Sequence, residues 1–206
     1  MLVLYSADIC PFAQRTRALL THRQVPFEHR EIDLKNKPED FLRLSPTGKT
    51  PLLLDGHLRH ESQVINDYLA ESLNWADAYP SDPGRRALHR LAMKQFDAVV
   101  LRAFYGRGTD PEGFAALKPL VEAELDQLER TLETSGGVIP SLLSFHLAPF
   151  WARFDWMRHL SGLAALFTAR PALRRWLDDA VAHPAVQATL PERELAVRKY
   201  EAYLAA

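Results

Sequence analysis

The chain has one cysteine in 206 residues, and that scarcity excludes a good deal. No internal disulfide can form, no two-cysteine redox cycle can run within one chain, and a reducing compartment fits. An excess of either charge is missing too: 25 Lys and Arg against 26 Asp and Glu leave a net charge of −1. Nothing electrostatic points to nucleic acid or an anionic membrane as partner. No stretch approaches the roughly 20 apolar residues of a membrane span. Met1-Leu2-Val3-Leu4-Tyr5 has neither a charged n-region nor a long apolar segment, so no signal peptide is expected and a cytoplasmic location is. The eight histidines show no ligand spacing; all are read as surface or satisfied core residues, and no metal is expected. What is left is ordinary: 47% hydrophobic and 25% charged residues suit a globular chain of one or two domains with a real core.

The lone cysteine is well placed. Leu2-Val3-Leu4-Tyr5 reads as a short strand, Ser6-Ala7-Asp8-Ile9 as a loop, and Pro11 onward as a helix. Proline suits the first helical position, where its missing N–H has no partner anyway. Cys10 is therefore the expected N-cap, its sulfur facing free amide groups and the positive end of the helix dipole. Such a setting favours thiolate, the nucleophilic form, over thiol. A buried structural cysteine is the bland alternative.

Two halves with different periods follow. Up to about residue 76 the chain alternates strand-like and helix-like runs, a βαβ signature. A first helix over Pro11–His22 precedes a strand over Pro26–Asp33, a short helix opening at Pro38, and a strand over Thr50–Leu54. Asp55-Gly56 makes a hairpin turn into His57–His60, and a helix starts near Ser62 with Val64, Ile65, Tyr68, Leu69 and Leu73 as its stripe. Proline at the opening of an apolar strand is unusual; taken alone, the Thr50-Pro51 bond is expected trans. Residues 77–84, with two prolines and a glycine, read as a linker. The rest, 85–206, reads as helix. Leu88, Leu91, Ala92, Phe96, Val99 and Ala103 keep the 3.6 period, as do Leu117, Val121, Leu125, Leu128 and Leu132, with Pro119 either starting or kinking that second helix. A strongly apolar segment over Ser141–Leu160 is expected at the centre of the second half.

Together these features resemble a cytosolic glutathione transferase over essentially the whole chain. Cys10-Pro11-Phe12-Ala13-x-Arg15 is similar to the active-site motif of the omega class, and Leu34-Lys35-Asn36-Lys37-Pro38-Glu39 to its glutathione-contacting loop. Lys49-Thr50-Pro51-Leu52 stands where the family has its cis-proline, and Glu61-Ser62 matches the acid–serine pair at the start of the third helix. The resemblance implies a thioredoxin-like α/β domain at 1–76, with a mixed four-stranded sheet, and an all-helical domain at 85–206 that supplies the acceptor pocket. It implies glutathione as co-substrate, a homodimer, and a cis Thr50-Pro51 bond. The γ-glutamyl carboxylate of glutathione would meet Ser62 at a helix N-terminus, Glu61 its ammonium, the Thr50 backbone beside Pro51 its cysteinyl unit, and Lys37 its glycine carboxylate. Phe12 would line the same site. One departure stands out: the family's Ser/Thr-x-x-Asp at the start of the central helix is Ser141-Leu142-Leu143-Ser144 here, so a weakened cap is expected, costing on the order of 1 kcal/mol.

The function expected is a glutathione-dependent thiol transferase. Cys10 would form a mixed disulfide with glutathione, and a second glutathione would release it. Small glutathionylated thiols and dehydroascorbate are the substrate types the omega resemblance suggests. Two rivals stay open. One is conjugation of glutathione to apolar electrophiles, with Tyr5 or Ser6 as activating hydroxyl, or a related ether-cleaving lyase. The other is a non-enzymatic binding protein on the same fold. The acceptor pocket is expected between the halves above Cys10, with Phe104, Tyr105 and Trp151 as candidate lining residues, together with Phe12 and Trp156. Whether the stretch Leu195–Leu204 covers it is left open by the sequence.

Overall fold

Strand propensity and hydrogen-bond geometry place the first strand at the heart of a small sheet. A computed structural model describes residues 1–107, 111–159 and 162–204. In it β1 (Leu2–Ser6) is almost wholly buried. The turn Ala7–Ile9 leads into α1 (Pro11–His22), and the chain returns as β2 (Phe27–Glu31), parallel to β1 with Leu2 opposite Phe27. A right-handed crossover is the expected hand for such a unit. After α2 (Glu39–Leu44), β3 (Leu52–Leu54) pairs antiparallel with β1, and β4 (Leu58–His60) antiparallel with β3. The sheet order is β2-β1-β3-β4, the mixed four-stranded sheet of a thioredoxin-like fold. The Asp55-Gly56 turn joins the last two strands, Gly56 taking the φ of +94° that a side chain would resist. α3 (Ser62–Ser72) then packs beside α1.

Everything after α3 is helical among the described residues apart from its connections. α4 (Pro83–Gln95) is capped by Asp82, whose carboxylate accepts from the Arg85 amide at 2.8 Å. The apolar period suggests one helix through Ala103, but the backbone widens to π geometry over Phe96–Leu101 before α5 (Arg102–Arg107). Periodicity cannot reveal that widening, because the buried residues Phe96, Val100 and Leu101 still face the core. α6 (Pro111–Ser135) continues through Pro119 and is followed by Gly136 and Gly137, both with positive φ. In α3, Val64 departs from its expected inward stripe and is 57% exposed.

α7 (Leu142–Trp156) is the central helix: every side chain from Leu142 to Phe154 is buried. Its N-terminus corrects the expectation of a weakened cap. The Ser141 hydroxyl oxygen accepts from the Ser144 amide at 3.2 Å, and the Ser144 hydroxyl oxygen accepts from the Ser141 amide at 2.9 Å. Serine thus closes the reciprocal box that an acid usually closes, and its hydrogen also reaches the Ser141 carbonyl. The remaining helices are α8 (Leu163–Thr168), α9 (Pro171–Ala182), α10 (Pro184–Gln187) and α11 (Arg193–Leu204). Two X–Pro bonds are cis, Thr50-Pro51 and Ile139-Pro140; the first agrees with the family resemblance, and the second has no counterpart in the sequence reading. No helix among the described residues is long and apolar enough to cross a membrane.

α1 lies against α7, and charged side chains cross that contact. Arg15 is fully buried and bridges to Asp97 in the π segment, with Nη2–Oδ1 at 2.6 Å and Nη1–Oδ2 at 3.0 Å. Its Nε donates to the His146 carbonyl on α7, and its guanidinium sits over the rings of Phe12 and Phe150. Arg153 of α7 sends its N–H groups the other way, to the Gln14 amide oxygen and the Ile9 carbonyl.

Candidate active site

Cys10 occupies the N-cap of α1 with Pro11 at the next position, and its backbone is extended. The sulfur accepts no hydrogen bond from the first turn. It lies instead 4.0 Å from the Thr50 carbonyl oxygen, packed beside Ala7 and Ala13 and 8% exposed. The loop before it is held rigidly. Arg17 donates to the Ala7 and Asp8 carbonyls at 2.9 and 2.8 Å, and Arg153 to the Ile9 carbonyl at 3.0 Å. Three consecutive carbonyls are thus tied to two buried guanidinium groups, and charge-assisted bonds of this kind are the strong ones.

Above Cys10 opens a cleft of about 1000 Å³. Cys10, Phe12, Lys37, Thr50, Pro51, Glu61 and Ser62 all line it, so seven residues singled out in separate sequence motifs share one concavity. Glu61 holds a φ of +68°, a conformation costing a non-glycine residue about 1 kcal/mol or more and often kept where a site demands it. Ser62 follows it as the first residue of α3, buried, with its hydroxyl accepting from Arg15 Nη1 at 3.2 Å. The Arg15–Asp97 pair therefore stands directly beneath this part of the cleft. Burial pushes the Asp97 carboxyl up, but the Arg15 and His146 charges prevail and hold it well below the usual carboxylate range. Burial, reinforced by Arg15, pushes His146 down to about 4.

The helical side differs from the expectation in part. Tyr105 lines the cleft. Phe104 is 2% exposed and packs on Phe154 and Tyr200 instead. Trp151 does not line the cleft; its ring lies tilted against Phe167 and its indole N–H is donated to Asp178 Oδ1 at 2.7 Å; Trp156 joins the core margin. An aromatic at helical spacing on so apolar a segment is far more often packing than pocket, and here the core claims both tryptophans. The other wall comes from α11, with Lys199, Tyr200 and Tyr203. Tyr200 and Tyr203, one helical turn apart, are the signal that would have marked that helix. The rival hydroxyls are committed elsewhere: Tyr5 accepts from Arg30, Ser6 accepts from Arg17, and neither lines the cleft.

At the edge of the cleft, which Glu31 lines, Asp8, His29 and Glu31 bring ligand-type atoms within 4.8 Å of one another on the surface. No sequence spacing signals this group. His29 Nε2 stands 3.2 Å from Glu31 and Arg17 Nη1 3.2 Å from Asp8, which makes it an ion-pair cluster.

Comparison with known proteins agrees with this geometry. The family described as glutathione S-transferase, N-terminal domain, matches residues 9–72, the stretch holding every expected glutathione-contacting residue. The chain is 31% identical to glutathione S-transferase omega-1 of Mus musculus over 84% of its own length and 74% of that protein. It is 32% identical to pyrimidodiazepine synthase of Drosophila melanogaster, over 95% of this chain and 83% of that one. Among solved structures, rice GST1 in complex with glutathione superposes with a TM-score of 0.83 at 27% identity, covering 98% of this chain and 96% of the other. On its sequence and its fold, the chain belongs to the glutathione S-transferase family as an omega-like, cysteine-type enzyme with glutathione as its co-substrate.

Proposed function

We propose that this enzyme is a thiol transferase that works through a Cys10–glutathione mixed disulfide. One observation carries the reading: the only cysteine of the chain lines the same cleft as the Lys37, Thr50, Glu61 and Ser62 set. An extended tripeptide with two carboxylates and one ammonium finds opposite charge at each end there. Lys37 takes the glycine carboxylate. Ser62 with its helix N-terminus takes the γ-glutamyl carboxylate, and Glu61 the ammonium. The Thr50 backbone pairs with the cysteinyl unit like an added strand, which brings the glutathione sulfur beside Cys10.

The chemistry then follows from what a cysteine does there. A tyrosine or serine hydroxyl would only hold the glutathione thiolate, whereas a cysteine sulfur bonds to it. The Cys10 thiolate attacks the glutathionyl sulfur of a mixed disulfide, the S–S bond breaks, and the partner thiolate leaves. A second glutathione thiolate attacks the new Cys10–glutathione disulfide, releasing glutathione disulfide and restoring Cys10. No second protein thiol is needed, and none exists in the chain. Conjugation through Tyr5 or Ser6 is disfavoured because both hydroxyls are engaged away from the cleft. The enzyme is proposed to act as a homodimer in the cytoplasm, and sedimentation velocity reads the stoichiometry.

Mass spectrometry tests the mechanism. Incubation with glutathione disulfide should add one glutathione to the wild-type chain at Cys10 and none to Cys10→Ala, with disulfide exchange lost in that variant. Exchange activity persisting in Cys10→Ala overturns the reading.

A further inference from the structure

The wall that the first half gives to the cleft carries charge of both signs, Glu31, Asp33 and Glu61 against Lys35, Lys37 and Lys49. The helical wall is different. Its described lining residues are Tyr105, Lys199, Tyr200 and Tyr203, and only Lys199 among them is charged. Tyrosines hold α11 to that wall: the Tyr105 and Tyr200 oxygens are 3.3 Å apart, and the Tyr105 and Tyr203 rings meet edge to face at 6.1 Å and 87°. Lys199, the residue before Tyr200, is therefore presented to the cleft from a fixed backbone while its side chain stays exposed. Glu201, the nearest acid along the chain, is turned to His159 Nε2 at 3.0 Å. Among the described residues no carboxylate pairs with Lys199.

The thiol-transferase cycle uses glutathione twice, and the second molecule needs a place of its own. The first, as the Cys10 mixed disulfide, occupies the Lys37, Thr50, Glu61 and Ser62 set on the first wall. A cleft of about 1000 Å³ is at the upper end of what one drug-sized ligand fills, so room is left beside it. The surface that remains to guide a newcomer is the helical wall, with one cation and no acid. Glutathione brings one more carboxylate than ammonium groups, and so a net negative charge. We propose that Lys199 is the positioning residue of a second glutathione subsite, its ammonium holding a carboxylate of the resolving glutathione. It rests on the mixed-disulfide reading and gives that reading's second step a site.

The resolving thiolate has to strike the glutathionyl sulfur, because attack on the Cys10 sulfur would only exchange one glutathione for another. A new S–S bond joins the two glutathiones, and the bond between Cys10 and the first glutathione breaks. Its electron pair stays on Cys10 as thiolate, and glutathione disulfide leaves. An ammonium on a flexible stem, with three donors, suits a carboxylate that must be captured and let go in every cycle. At an exposed position such a charge acts chiefly on the rate of encounter, and salt screens it.

The test isolates that step. The full chain is loaded at Cys10 with glutathione disulfide, freed of excess, and treated with glutathione or with β-mercaptoethanol, a neutral thiol. Mass spectrometry follows loss of the adduct, and the quantity read is the ratio of the two second-order rate constants. Lys199→Gln should lower that ratio about threefold to fivefold, the scale of one exposed charge pair. Lys199→Glu, which reverses the charge, should lower it about tenfold, and Lys199→Arg should keep most of it. Added salt should lower the wild-type ratio and leave that of Lys199→Gln nearly still. A lysine that only packs α11 moves both thiols together and leaves the ratio unchanged. A ratio within about 1.5-fold of wild type in both Lys199→Gln and Lys199→Glu, below the scale of such a pair, overturns the assignment. That result leaves the thiol-transferase reading standing, since the adduct has formed and been released. If the wild-type chain acquires no adduct at all, the underlying reading falls and the subsite with it.

Discussion

Replacing Asp97 by asparagine strikes the charge pairing that joins the two halves beneath the cleft. The carboxylate accepts two hydrogen bonds from Arg15 and stands 2.9 Å from His146 Nε2. Arg15 has a fully buried side chain, whereas that of Asp97 is 32% exposed. Asp97→Asn keeps the shape, removes the countercharge, and turns an amide N–H₂ toward one of its donor neighbours. Breaking a buried pair by removing one partner costs about 3–5 kcal/mol, because the remaining charge stays out of water. The partial exposure of Asp97 places this case at the lower end, about 3 kcal/mol. That is a large fraction of the roughly 5–15 kcal/mol by which domains are stable, and at about 2–4 °C per kcal/mol it lowers the melting temperature by about 6–12 °C. Urea denaturation at neutral pH should report the same loss through its midpoint. Because Arg15 also donates to Ser62, the variant should raise the KM for glutathione while a neutral alkylating reagent still modifies Cys10. An Asp97→Asn chain within 1 kcal/mol of wild type would refute the account of Arg15 as a buried cation that needs Asp97.

Two further outcomes follow from local features. His89 is 1% exposed, its Nε2 is 2.7 Å from the Ser135 hydroxyl, and burial lowers it to about 4. The folded value lies below the unfolded one, so this contribution is complete above the unfolded value near 6.5 and is lost as pH falls from there toward 4. By pH 5 the loss amounts to about 2 kcal/mol. Denaturant titrations at pH 7.5 and 5 should show that much less pH dependence in His89→Gln than in wild type, and equal slopes would contradict it. Ser144→Ala removes one arm of the capping box on α7 and should cost about 1 kcal/mol in the same titration, while leaving glutathione uptake by Cys10 unchanged; a loss below 0.3 kcal/mol, on the scale set for caps, would show that the box is not holding the helix.

The Cys10 side of the cleft was legible because its chemistry is local. A proline after a lone cysteine, a proline opening a strand, and an acid–serine pair before an apolar stripe each announce their backbone geometry within a few residues. The supporting layer was not legible. Arg15 meets Asp97 across 82 positions, and Asp97 reaches it from a π segment that an apolar period conceals. Arg153 meets Ile9 across 144 positions. The acceptor wall shows the same limit. Periodicity cannot say which aromatic residues of an apolar helix look inward, so Phe104 and Trp151 were expected where the core had already claimed them. Tyr200 and Tyr203 lie on a helix whose face is decided by what it packs against, which one sequence does not state. Ser144 shows a different limit: a serine does the work of an acid at that cap because its oxygen accepts and its hydrogen donates within one turn.

The crossed guanidinium groups also bear on how such chains can be recombined. Arg15 belongs to the first half and ends on Asp97 in the second; Arg153 belongs to the second and ends on Gln14 and Ile9 in the first. Each half therefore carries a cation whose acceptors are encoded in the other. A chimera joining the first half of this chain to the second half of a distant relative orphans the Arg15 charge unless the relative supplies its carboxylate, and leaves Gln14 and Ile9 without their donor unless the relative supplies a matching guanidinium. Exchange of genetic material between such proteins is thereby restricted to partners that keep both pairings, however similar the rest of their surfaces.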